Sequence, residues 1–314
     1  MVPLSWAHQR LLRGSSRARQ LGLPLAGSCR RRPGPKDGEA ALTTRNDTHE
    51  VRIDPARGLV VKRFRSARRL EPVCEWTALS LLARLAPGLA PAPVSADLNA
   101  DPAVVTMSLL PGTELSAAPV TPAQACALAG ALERLWRSVP SIDREYPAAV
   151  TPKPVAFTHQ VHEMVAAGPA LGDDPLVARA RAAATAWLER RDPEHHGHAG
   201  HAVLGHGDPC LANYLWDSDQ VRLIDFEDSA PSDRAFELAI LTEHISAWSD
   251  ARLDAGAFLA LFDLTRAEQA RVHDFRRLAA LFWLIMLRPG SASSARNPPG
   301  TMERQADRLL ALLT

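Results

Sequence analysis

The stretch that most limits how this chain can fold is His206-Gly207-Asp208-Pro209-Cys210-Leu211-Ala212-Asn213, followed shortly by Leu223-Ile224-Asp225-Phe226-Glu227. Between them, Asn213-Tyr214-Leu215-Trp216 and Val221-Arg222-Leu223-Ile224 read as two short strands joined by the polar turn Asp217-Ser218-Asp219-Gln220. A hairpin of that kind brings Asn213 and Asp225 side by side at one mouth, close enough to share a cation. Asp208 lies on the loop just before it.

A phosphoryl-transfer site needs a carboxylate to receive the acceptor hydroxyl's proton, and an amide and a second carboxylate to hold magnesium on the nucleotide. Asp208, Asn213 and Asp225 supply all three. Either segment alone is common in turns, where Asn and Asp bond their own backbone. Both together, in this order and at this separation, carry the information. The region resembles the catalytic core of the aminoglycoside phosphotransferase and choline kinase family, whose signature is His-Gly-Asp, four residues, Asn, then a strand ending in Asp-Phe or Asp-Trp. These are small-molecule kinases with the protein-kinase-like fold. The resemblance implies an α+β, bilobal architecture: a small N-terminal antiparallel-sheet lobe and a larger, mostly helical C-terminal lobe. It implies ATP as donor, Mg2+ held by Asn213 and Asp225, and Asp208 as base or orienting carboxylate. His206 is read as a buried ring that bonds the loop backbone and holds Asp208 in place. Glu227 is a secondary site residue that orients the site or contacts a second metal.

A kinase of this kind needs a strand lysine on the nucleotide phosphates and a helix glutamate to position it. Gly58-Leu59-Val60-Val61-Lys62-Arg63-Phe64 is an apolar, β-branched run with one lysine, and the helix expected after it carries Glu75. The only lysines are Lys36, Lys62 and Lys153, the other basic residues being arginine. A chain that writes nearly every positive charge as Arg has kept a compact ammonium on this strand, which suits a site between phosphate oxygens and a carboxylate. The alternative for Lys62 is a solvent-facing edge lysine. Glu71 is the runner-up for Glu75, but Pro72 belongs to a first helical turn and puts Glu71 at the cap. In the family the segment linking the lobes receives the adenine on its backbone, which puts the hinge at Met107 to Leu109. The phosphate-covering loop falls at Thr43 to Val51, contains no glycine, and leaves Arg45, Asn46 and Thr48 as candidate contacts. Past the metal segment, Glu237 stands where the family has Asp and is expected to bond the catalytic loop from behind.

The first 40 residues hold eight Lys or Arg against Asp37 and Glu39, so the remainder carries 28 basic and 33 acidic residues, a net −5. That balance excludes a nucleic-acid reading built on whole-chain charge and is compatible with a cationic acceptor. The Arg- and Ser-rich leader, residues 1–40, reads as a disordered basic extension, with an organellar transit peptide as the alternative. Cys29, Cys74, Cys126 and Cys210 show no paired spacing, which points to a cytoplasmic protein. No apolar run is long enough to span a membrane, and no obligate protein partner is implied. His195, His196, His198, His201 and His206 crowd together, but no cysteine at ligand spacing precedes Cys210, so zinc is not implied.

From Thr121 onward helices dominate: 122–139, 158–167, 174–191, 234–249, 254–264, 267–287 and 301–313. Thr121-Pro122-Ala123-Gln124 has the cap, N1 proline and Gln that start a helix. The nucleotide lobe is expected over 41–109 and the catalytic and acceptor-binding lobe over 110–314. The acceptor is a small molecule bearing a hydroxyl, with an aminoglycoside-type antibiotic ahead of choline, ethanolamine, a sugar or homoserine. Glu243, Asp250, Asp254 and Asp263 could receive its ammonium groups, but each reads first as a solvated helix residue. Trp248, Phe282 and Trp283 are read as core. A catalytically idle, kinase-like nucleotide-binding protein is the competing class.

Overall fold

The computed structural model describes residues 42–45, 49–65, 70–139, 142–147, 149–190 and 202–314. The leader, Asn46, Thr48 and the cluster His195, His196, His198 and His201 lie outside them. The N-terminal part is a five-stranded antiparallel sheet of β1 (Leu42–Arg45), β2 (His49–Asp54), β3 (Leu59–Phe64), β4 (Pro93–Asp97) and β5 (Ala103–Ser108), in the order β1-β2-β3-β5-β4. Along β3 the side chains alternate, Lys62 and Phe64 buried and Arg63 exposed, as a strand with one covered face requires. The cover is α1 (Leu70–Leu85), whose buried face runs through Glu75, Ala78, Leu79 and Leu82. Lys62 pairs with Val51 on one side and Val105 on the other. It is therefore in the central strand and not at an edge.

The chain then passes through the two-residue strand β6 (Thr113–Glu114) into α2 (Pro122–Ser138), α3 (Ile142–Glu145), α4 (Lys153–Ala166) and α5 (Pro175–Glu189). The capping box expected at Thr121 forms: Thr121 N–H donates to Gln124 Oε1 at 2.9 Å, and Gln124 N–H to Thr121 Oγ1 at 3.3 Å. Next come β7 (Val203–Gly205), the hairpin β8 (Tyr214–Asp217) and β9 (Gln220–Leu223), and β10 (Ala230–Ser232), which pairs with β7. The expected hairpin forms with Tyr214 opposite Leu223 and Asp217 opposite Gln220, so the turn is tighter than expected, Ser218-Asp219 alone, and Asn213 and Ile224 lie just outside the strands.

The last part is helical: α6 (Arg234–Glu243), α7 (Ile245–Trp248), α8 (Ala255–Leu259), α9 (Arg266–Met286), α10 (Ala292–Arg296) and α11 (Thr301–Leu313). Three helix expectations need correction. The helix expected over 234–249 breaks at His244, whose backbone is extended and whose side chain caps α7 by accepting Ser246 N–H. The 254–264 helix is a short segment capped by Asp254. The helix expected to begin at Thr158 starts at Lys153, because Pro152 and Pro154 fit an N-terminus and not an interior.

Two apolar clusters hold the molecule together. One joins Phe64, Leu79, Leu82 and Val105 to Leu128 and Leu135 of α2 and to Leu204 and Leu223. The other packs α4, α5, α6, α9 and α11 through residues such as Val161, Ala184, Phe275 and Leu309. The result is the α+β architecture expected, an antiparallel sheet beside a larger, mostly helical body.

Candidate active site

β7 ends at Gly205, and the next residues turn toward the hairpin. Gly207 has φ +82°, and a Cβ there would stand 2.0 Å from the Asp228 carbonyl oxygen and 2.8 Å from Lys153 Cε, so no other residue fits the turn. His206 is buried. Its Nε2 lies 2.9 Å from the Ile224 carbonyl and its Nδ1 3.4 Å from Asp208 N–H, which fixes the proton on Nε2. Phe226 covers the ring at 4.7 Å between centroids. Glu237 on α6 accepts His206 N–H at 3.1 Å and Ser232 Oγ–H at 2.7 Å, so it braces this loop from behind.

Asp208 follows. Its Oδ1 accepts Cys210 N–H at 3.2 Å and its Oδ2 accepts Asn213 Nδ2–H at 3.0 Å. The acceptor-only carboxylate decides the amide's orientation and leaves Asn213 Oδ1 as the oxygen able to face a cation. Burial, reinforced by the charges of Asp228 and Asp225, pushes the Asp208 carboxyl up to about 6. That is a useful value for a group that must take a proton near neutral pH. Ile224 N–H donates to the Asn213 carbonyl at 3.0 Å, carrying the hairpin one step past its ladder and setting Asp225 beside Asn213. Asp225 itself takes a left-handed backbone, φ +73°, a conformation uncommon outside glycine.

Lys62 reaches Asp225 from the sheet above. Its Nζ bonds Glu75 Oε2 at 2.8 Å, contacts Asp225 Oδ1, and lies 2.8 Å from Glu227 Oε2. The last contact is an ion pair without hydrogen-bond geometry, and both Glu227 Oε2 and Glu75 Oε1 lack a hydrogen-bond partner among the described residues. Burial alone would lower the pKa of the ammonium, but Asp225, Glu227 and Glu75 outweigh it and raise it. One ammonium faces three carboxylates whose oxygens lie within 4.8 Å of one another. The surplus negative charge and the hard, all-oxygen donor set fit a divalent cation of the magnesium type.

Two clefts open on either side of these groups. One, of about 510 Å3, is lined by Lys62, Glu75 and Asp225 together with Val60, Met107 and Leu109. The expected hinge residues thus line it, although Leu109 N–H is already donated to the Gly58 carbonyl at 2.7 Å. Gly207 and Asp208 line the second, larger cleft with Lys153, Asp228 and residues of α4, α6 and α9. Phe282 and Trp283, read from sequence as core, also form its wall. Asp228 and Lys153, 3.6 Å apart, were not singled out by sequence reasoning. Lys153 carried the same signal as Lys62, a retained lysine in an arginine-rich chain.

The sequence pattern of the phosphotransferase enzyme family matches residues 40–275. Among solved structures, a choline/ethanolamine kinase family protein from Mesorhizobium loti superposes with a TM-score of 0.59 at 15% identity, over 88% of each chain. The GDP complex of aminoglycoside 2'-phosphotransferase-IIIa gives 0.60 at 15% identity, over 88% of this chain and 91% of that one. Spectinomycin phosphotransferase, in complex with ADP and spectinomycin, gives 0.57 at 10% identity, over 87% and 92%. A sequence search of the curated proteins finds no match. With a family match over most of its length and a loop, hairpin and lysine arranged as above, the chain belongs to the phosphotransferase enzyme family and is a small-molecule kinase.

Proposed function

We propose that this chain transfers the γ-phosphoryl group of ATP, with Mg2+, to a hydroxyl of a small molecule. The observation that supports it most is that Asp225 lines one cleft and Asp208 the other, near enough that the charge of Asp225 helps raise the Asp208 carboxyl. The nucleotide lies against residues 41–109, its base beside Met107 and Leu109 and its phosphates toward Lys62, which Glu75 holds in place. The acceptor lies within 110–314. Bound magnesium, held by Asn213 and Asp225, would neutralise charge on the phosphate oxygens.

Asp208 orients the acceptor hydroxyl and takes its proton as the oxygen bonds to the γ-phosphorus and the bond to the bridging oxygen breaks, leaving ADP. His206 keeps the loop in register through its two ring bonds, and Glu227 completes the charge around Lys62. The ATP supply fits a cytoplasmic enzyme. Related structures hold spectinomycin, hygromycin B or kanamycin with their own enzymes, while others are a choline/ethanolamine kinase family protein and a choline kinase. An aminoglycoside-type antibiotic and a choline-like amino alcohol are thus the two acceptor classes that likeness alone suggests.

The test is ADP release from ATP and Mg2+ across a panel of hydroxyl compounds. The expected result is transfer to at least one compound, with Asp208→Asn reducing kcat by about 10²- to 10⁴-fold. Tight MgATP binding with no ADP release under any condition would instead identify an idle nucleotide-binding protein.

A further inference from the structure

The larger cleft is open to solvent on one side and spans about 860 Å3 including that open part. Phe157 on α4, Phe236 and Ile240 on α6, and Phe282, Trp283 and Met286 on α9 form its walls. The rings make a continuous surface: Phe157 lies 5.4 Å from Phe236 and 5.2 Å from Phe282, and Phe282 lies 5.3 Å from Trp283. The ionisable groups on the lining are Asp208, Asp228, Lys153 and His244. Lys153 offsets Asp228 at 3.6 Å, which leaves about one net negative charge, on Asp208.

The acids that sequence offered as possible ammonium receivers stand elsewhere. Glu243 is fully buried between Arg276 at 2.7 Å and Arg308 at 2.9 Å. Asp254 caps α8, Asp250 is exposed and pairs with Arg252, and Asp263 does not line the cleft. A molecule with several ammonium groups would find, among the described residues of the lining, one uncompensated carboxylate, Asp208, and would have to desolvate its other charges against aromatic walls and a lysine.

Among the described residues of the lining, His244 carries a buried polar atom without a hydrogen-bond partner. His244 is 5% exposed. Its Nδ1 accepts Ser246 N–H at 3.1 Å and lies 2.7 Å from Ser246 Oγ, which itself accepts Leu211 N–H at 3.0 Å. Nδ1 is therefore the acceptor nitrogen and the ring proton sits on Nε2. Nε2 has no hydrogen-bond partner among the described residues. Burial lowers the ring's pKa to about 3, which keeps the imidazole neutral. An edge-on contact with Trp283 at 4.9 Å holds it in the wall. A buried N–H without a partner is costly, and His244 lines the cleft, so a ligand oxygen there could satisfy Nε2–H after a small turn of the ring.

We propose that this cleft takes a largely apolar alcohol with no more than one positive charge, and that His244 Nε2–H donates a hydrogen bond to an oxygen of that acceptor. The inference rests on the phosphotransferase reading above. It makes His244 a specificity-determining residue, and it moves the acceptor away from the polycationic antibiotics that the sequence suggests.

The full chain is tested with ATP and Mg2+, and products are followed by mass spectrometry against two sets. Kanamycin and hygromycin B represent polycations; neutral or singly charged alcohols carrying alkyl or aryl groups, phenyl glucoside and choline among them, form the other set. Transfer is expected to the second set, with kcat/KM at least about 10-fold above that for kanamycin. His244→Phe should raise the acceptor KM by about 10-fold without changing the KM for ATP, and His244→Gln, whose amide supplies a donor, should recover most of the loss.

Should His244→Phe fail to fold, Met286→Glu carries the test by placing a carboxylate on the wall, which should shift preference toward kanamycin. Equal or better transfer to kanamycin by the wild type overturns the proposal. So does a folded His244→Phe that leaves the acceptor KM unchanged, or in its place a Met286→Glu that leaves acceptor preference untouched. Transfer to neither set, while ATP is still hydrolysed in an Asp208-dependent manner, also overturns it and leaves the phosphotransferase reading intact. Loss of that hydrolysis as well would be the failure of the reading itself.

Discussion

Lys62 is 3% exposed and stands among three carboxylates, Glu75, Asp225 and Glu227. Removing a buried ion's partner strands the opposite charges without solvent, which costs about 3–5 kcal/mol. Lys62→Met keeps the stem's length and its packing near the Phe64 ring, 5.0 Å from the ammonium in the wild type, and deletes only the charge. Urea unfolding should show a loss of about that size, and millimolar Mg2+ should restore part of it, since the stranded carboxylates are then an empty hard-oxygen site. Unchanged stability, or no gain with Mg2+, would mean that the three carboxyl groups take up protons instead of repelling one another. Lys62 and Glu75 could be paired from sequence because strand, helix and lysine scarcity all pointed to one residue of each kind. Glu227's part in the cluster was less legible, since it depends on how the chain turns after Asp225.

At the scale of elements, α6 is the hub of the helical body. Glu237 near its start braces the Asp208 loop, and Glu243 at its end is gripped by Arg276 of α9 and Arg308 of α11. Glu243 therefore holds three helices in register. Glu243→Ala should destabilise the chain by about 3–5 kcal/mol, because two part-buried guanidiniums lose their shared partner. In the enzyme that remains folded, measured well below its new midpoint, the acceptor KM should stay within about 2-fold of wild type. A large rise in KM with little loss of stability would return Glu243 to the acceptor site. From sequence, Glu243 was one acid among several on a helix, and nothing local separates a solvated glutamate from one enclosed by arginines 33 and 65 residues away. The hairpin and the capping box at Thr121 were legible for the opposite reason, since their partners are near neighbours in the chain. The break at His244 was not, because a histidine cap looks like any other helix residue until its ring turns back onto Ser246 N–H.

For the whole molecule, the question is whether the sheet and the helical body are one cooperative unit. The first apolar cluster crosses between them: Phe64, Leu79 and Val105 from the sheet side share it with Leu128, Leu135, Leu204 and Leu223. Leu223 N–H also donates to the Leu89 carbonyl at 2.9 Å, tying the β8–β9 hairpin to the chain just past α1. Such continuity was hidden from the sequence, where an apolar helix face shows that something covers it but not what. The larger cleft was hidden for the same reason, since its rings come from three helices far apart in the chain. If the cluster is one body, a hole cut on the sheet side must be felt by both parts. Leu79 is fully buried in α1, and Leu79→Ala should cost about 2–5 kcal/mol. Calorimetry should then show one transition moved to lower temperature, with calorimetric and van't Hoff enthalpies still in agreement. Two transitions, with only the smaller displaced, would show that the sheet and the helical body melt separately and that the contacts around Lys62 and Asp225 alone join them.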